Sequence, residues 1–170
     1  MAVYKLFPTK DTTIYSRYPT MNTGLDSILE AWADYSTTTP HVSRYLIQFD
    51  QTEIDTIFDD KIGTSSYQIN LVNYIANIQN LNVDTELEVY AISGSWGMGT
   101  GHFNDTPTTT NGCNWKYRTY EGENAWTTSG FSDYVTASYN GSNSGGGTWY
   151  TGSALGLEVT ASQIYTYASD

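Results

Sequence analysis

Cysteine occurs once in 170 residues, at Cys113, so no disulfide can close within the chain. Histidine is nearly as scarce. His41 and His102 lie far apart in sequence and far from or unpatterned with Cys113, which excludes the tight ligand spacing of a zinc site and gives the thiol no recognisable base. Basic residues are few as well: 7 Lys+Arg stand against 18 Asp+Glu, for a formal net charge of -11 and a pI of about 4.3. A surface that acidic repels phosphate backbones and excludes nucleic acid as a partner. No hydrophobic run is long enough to cross a bilayer, which excludes a transmembrane segment.

What the chain does have is aromatic and small polar residues. It carries 15 Tyr, 5 Trp and 15 Gly, while charged residues make up only 15%. Thr, Ser and Asn do the surface work that Lys and Glu do in helical proteins, a mixture that favours strands and polar loops. Tyr and Trp also give large contact area at low entropic cost, as sticky surface modules require. The length suits one domain, 1–170.

Alternation and β-propensity support strands at Val3–Leu6, Asp11–Tyr15, Val42–Asp50, Tyr67–Ile75 and Glu86–Ile92. Ser27–Ala33 alternates as a strand does but is also built from helix formers, and strand is the preferred reading. In Val42–Asp50, Tyr45, Ile47 and Phe49 are expected on one face, with Arg44 and Gln48 on the other. Thr52–Phe58 reads as one or two helical turns capped by Thr52. Asn22 and Gly24 are expected to supply positive φ in a turn-rich loop. Gly94–Gly112 is a long Gly/Thr-rich connection, and residues 141–147 read as a flexible tip. Asn114–Tyr120, Tyr134–Tyr139, Trp149–Tyr150 and Leu155–Thr160 are later strand candidates. Short strands punctuated by turns predict an all-β fold, a jelly-roll-like antiparallel β-sandwich with one short helical turn and long Gly/Thr-rich loops.

The residues also resemble a family. Lys10-Asp11-Thr12-Thr13-Ile14-Tyr15, then Asn22-Thr23-Gly24-Leu25-Asp26, then Ser43-Arg44-Tyr45-Leu46-Ile47-Gln48-Phe49-Asp50 resemble the opening of DNRLRE-type domains. Glu86–Ile92 followed by Trp96, the stretch Gly112–Arg118 followed by Ala125–Gly130, and Leu155–Ala161 resemble later parts of the same pattern. These domains are jelly-roll-like sandwiches related to carbohydrate-binding modules, found in bacterial secreted proteins and in virion proteins of tailed phages, marine and cyanobacterial ones among them. The family pattern continues with a helical turn and a further strand, whereas this sequence stops at Ala168-Ser169-Asp170. The expectation is a longer native chain or a strand supplied by a partner. Met1–Pro8 shows no signal-peptide pattern. Together these point to a phage virion structural protein of capsid, neck or tail, made in the host cytoplasm, with other virion proteins and further copies of itself as partners. The alternative is an adhesin module recognising surface glycans.

Candidate sites follow from residue type. Trp96, Trp126, Trp149 and Tyr150 could stack on sugar rings, with Trp149 expected at the surface; the competing reading puts the tryptophans, Trp115 included, in the core. Asp11, Asp26, Asp50, Asp55, Asp59 and Asp60 could bind a structural Ca²⁺, but no stretch has the spacing of a calcium loop, so no cofactor is expected. Glu121 and Glu123 are neighbours on one loop and do not make the facing pair a glycosidase needs. No catalytic constellation stands out, and the expectation is a protein that performs no reaction.

Overall fold

The computed structural model describes residues 2–34, 41–77, 85–92, 94–126, 134–136, 145–150 and 160–165. Among them the chain is mainly β, with one short helix and no barrel. Strand β1 (Lys10–Tyr15) pairs antiparallel with β3 (His41–Gln48), from Lys10 opposite Gln48 to Tyr15 opposite Ser43. The short β2 (Ala33–Asp34) lies on the other edge of β3, giving the order β1-β3-β2. Helix α1 (Gln51–Ile57) follows and runs into a π-helical turn over Phe58–Ile62. Four two-partner pairings complete the described sheets and bridges: β4 (Thr85–Tyr90) with β9 (Thr160–Tyr165), β5 (Tyr117–Thr119) with β6 (Asn124–Ala125), β7 (Tyr134–Thr136) with β8 (Thr148–Tyr150), and a bridge from Ile92 to Trp149.

β1 is buried on both faces. Thr12 and Ile14 share a face with Leu46 and Arg44 across the ladder, because residues directly opposite in an antiparallel pair point the same way. On that side Ile14 joins Trp96, Cys113, Trp115 and Trp126 in the core, with Val42, Leu46, Ile92 and Met98 packed around them. On the other side Tyr15 meets the edges of Phe103 and Tyr18, at 5.3 and 6.4 Å between ring centroids, and lies tilted against Trp32. Its hydroxyl donates to Glu30 at 2.9 Å.

Several expectations need correction. Val3–Leu6 and Tyr67–Ile75 form no strand, although both are β-prone: propensity sets what a segment tolerates, and pairing needs an edge at the right place. Only Ala33 of the Ser27–Ala33 candidate is in a strand. The backbone there is tied by side chains instead, with Glu30 N–H donating to the Thr13 hydroxyl and Ser43 Oγ donating to the Glu30 carbonyl. The cap of α1 is Asp50, whose carboxylate accepts from Glu53 N–H at 3.0 Å, so Thr52 sits inside the helix. β3 alternates as expected, with Arg44 on the opposite face from Tyr45 and Ile47, and it is the Arg44 face that meets the tryptophan core. Gly145–Gly147 are packed in the interior, with Gly146 N–H donating to the Trp115 carbonyl at 2.6 Å. Residues 137–139, 141–144 and 155–159, parts of other strand and loop expectations, lie outside the described residues.

Candidate functional site

The expected tryptophan platform is largely interior. Trp96 and Trp126 are 3% and 4% exposed and turn their ring faces to the core, where no sugar can stack. Trp115 is fully buried. Their polar edges and neighbours are used locally. Trp126 Nε1 donates to the Asn114 carbonyl at 2.9 Å, and the Lys10 ammonium lies 5.7 Å from the Trp96 ring centroid while donating to the Trp96 carbonyl. Trp115 Nε1 has no hydrogen-bond partner among the described residues. Trp149 is half-buried, and Tyr150 belongs to β8 through its backbone.

Trp149 does belong to a cleft. A cavity of about 400 Å³ opens between β3, β4 and β8, walled by Leu46, Leu87, Val89, Ile92 and Trp149 and reached by Leu71. Arg44 stands in its wall. The guanidinium carbon is 4.8 Å from the centroids of both Trp115 and Trp149, and one guanidinium N–H donates to the Gly146 carbonyl. Two indole faces and a carbonyl stabilise a cation that burial alone would disfavour. This close approach needs glycine at 146, because a Cβ there would meet the Arg44 guanidinium and the Trp115 ring. The signal for this arrangement was present in the sequence as a lone Arg within an apolar strand, but nothing local told inside from outside. The wall's Ser43 hydroxyl is committed, accepting from Trp32 N–H and donating to the Glu30 carbonyl. The cleft can therefore hold an apolar or aromatic group beside a shielded cation.

The remaining polar candidates pin loops. Asn22 is buried, and its Nδ2 donates to the Met98 and Cys113 carbonyls, both at 2.8 Å, while its Oδ1 accepts from Gly101 and Gly24 N–H. Neither Asn22 nor Gly24 has positive φ. Gly24 is needed for a different reason, since a Cβ would strike the Met98 carbonyl oxygen. Asp26 accepts from Phe103 N–H and pairs with His102 at 3.3 Å. Asp105 accepts from His102 N–H and the Thr109 hydroxyl, which hold its carboxyl below the usual range. Glu121 is also held low, by backbone N–H groups that include Gly112. Asp55 accepts from Gln51 on the helix. Among the described residues no group of His, Cys, Asp and Glu could hold a metal ion. Among the same residues, no helix is long and apolar enough to cross a membrane.

Cys113 is fully buried, and burial pushes its thiol up from 9.0 to about 12. Native protein at pH 8 is expected to give no reaction with a chromogenic disulfide reagent over an hour, and one thiol per chain after denaturation. The sign of the linkage follows: an unfolded chain gives up this proton near pH 9 and the folded one near 12, so the thiol's contribution is intact below pH 9 and is lost as pH rises towards 12.

Comparison with protein-family models, with curated proteins and with solved structures finds no match to this chain.

Proposed function

We propose that this chain is a non-enzymatic structural subunit of a phage particle, a capsid, neck or tail component that works through contacts with other virion proteins and with copies of itself. The observation that carries the reading is how side chains are spent. The polar groups best suited to chemistry, Asn22, Asp105, Asn114 and Glu121, are engaged in pinning loops, while large apolar side chains at Val3, Phe7 and Tyr67–Ile75 stand in solvent. Exposed apolar surface of that kind marks contact with other macromolecules. Many weak contacts multiplied by copy number then give a stable assembly without any reaction. In this reading the small sheets are parts of one jelly-roll-like sandwich of the DNRLRE type.

Mass spectrometry of purified particles tests the proposal: the chain is expected among the virion proteins at a fixed copy number, and its absence from particles would end it. The glycan-binding alternative keeps one observation in its favour, the half-exposed Trp149 face at the cleft beside Arg44. It predicts hits on a glycan array that disappear in Trp149→Ala.

A further inference from the structure

The segment after the π-helical turn is out of place for an isolated molecule. Residues 66–77 are exposed throughout, with Tyr74 at 92% and Ile69 at 74%. Tyr67 touches Phe58 at 4.8 Å between centroids, and Gln68 donates to Asn70 within the segment. Among the described residues no backbone hydrogen bond ties 66–77 to the rest of the chain. Yet the sequence Tyr67-Gln68-Ile69-Asn70-Leu71-Val72-Asn73-Tyr74-Ile75 is rich in strand formers and contains neither Gly nor Pro. Natural proteins guard such segments with charge or proline. Here there is no charged residue from Ile62 to Val83, in a chain whose formal net charge is -11.

We propose that Tyr67–Ile75 is a self-pairing strand, joining two copies of this chain through an antiparallel ladder about a two-fold axis at Leu71. This deepens the assembly reading above and rests on it, by naming the segment and the partner. Charge argues for a second copy. Two acidic molecules repel over most of their surface, and this neutral stretch is where they meet without desolvating carboxylates. Self-complementarity argues for the register. With Leu71 opposite Leu71, Tyr67 falls opposite Ile75, an aromatic–β-branched pair of the kind that stabilises sheets. Ile69 falls opposite Asn73, Gln68 opposite Tyr74, and Asn70 opposite Val72. Tyr67, Ile69, Leu71 and Ile75 of both copies then line one face, an isologous contact that closes on itself. Leu71 already borders the cleft between β3 and β4, so that apolar row is continuous with apolar surface of the body.

Sedimentation velocity and directed crosslinking test this. Wild-type chain is expected to dimerise in the micromolar range, and the double variant Ile69→Lys/Tyr74→Lys to raise the dimer dissociation constant at least 100-fold with an unchanged urea midpoint for the monomer. Leu71→Cys is expected to form a disulfide-linked dimer on mild oxidation. Directly opposed strand residues place their Cα atoms about 4.5–5.5 Å apart, within disulfide range. Ser66→Cys, outside the ladder, is expected to stay unlinked, and Cys113 is too buried to interfere. A wild-type chain that remains monomeric to millimolar concentration would overturn the proposal, as would a dimer indifferent to the lysines. So would equal crosslinking at 66 and 71. Failure here leaves presence in particles intact, and absence from particles leaves a solution dimer intact, so each idea fails separately.

Discussion

Asn22→Ala is expected to lower the unfolding free energy by about 4 kcal/mol, a large share of the ~5–15 kcal/mol typical of a domain. The amide joins three loops at once. Its Nδ2 serves the carbonyls of Met98 and Cys113, and its Oδ1 serves the N–H groups of Gly24 and Gly101. Both nitrogen partners are acceptors and both oxygen partners are donors, which fixes the orientation of the amide. Truncation strands those groups in a buried site, at about 1–3 kcal/mol for each one that water cannot reach. Asn22→Asp makes the sharper test. It preserves the oxygen's bonds but turns a carboxylate oxygen towards two carbonyl oxygens. At pH 7 it is expected to be at least as damaging as alanine. The introduced carboxyl has its pKa raised in the folded state, so its stability should improve as pH falls and a proton becomes available to donate. Urea unfolding of both variants between pH 4 and 7 reads this out; identical pH dependence in the two would contradict the assignment.

Gly112→Ala is expected to cost about 3–5 kcal/mol, combining a left-handed backbone penalty with overpacking. Gly112 has φ of +69°, and a Cβ would press on the backbone of Gly99 and come within 2.8 Å of the Met98 carbonyl carbon. The obstructing atoms are backbone, so no rotamer change relieves them. Gly63→Ala isolates the backbone part, because Gly63 has φ of +54° and open space where a Cβ would go. At φ +54° and ψ -125° Gly63 lies outside the regions L-residues adopt, and the substitution is expected to cost about 1–3 kcal/mol. Urea midpoints of the pair, compared at equal m-value, show whether the close approach of the 97–101 and 112–113 loops costs more than a backbone penalty without a clash.

How much of this was legible depends on distance along the chain. The alternation in Lys10–Tyr15, His41–Gln48 and Thr85–Tyr90 is a local signal, and strands formed there. The Asn22-x-Gly24 pattern is visible too, but it reads as a source of positive φ, which neither residue adopts. Three of the four partners of Asn22 lie 76, 79 and 91 residues away, and only Gly24 N–H is local. Tyr67–Ile75 carries the same local signal as β4 and formed no strand, because a ladder also needs an edge to join. Arg44 shows the limit of polarity as a guide. Alternation separates Arg44 from Tyr45 and Ile47 without saying which face is inside, and two indoles with one carbonyl place it inward.

Taken alone, the sequence determined the terms that need no partner: the charge of -11, the single thiol, the absence of a long apolar span and the local preference for strands. Tertiary structure alone decided which face of β3 is inside, that Trp96 and Trp126 fill the core, and that Asn22 knots distant loops together. The division has a physical reason. Backbone propensity and net charge are sums over residues and their nearest neighbours, whereas burial and hydrogen-bond satisfaction depend on groups brought together only when the chain closes on itself.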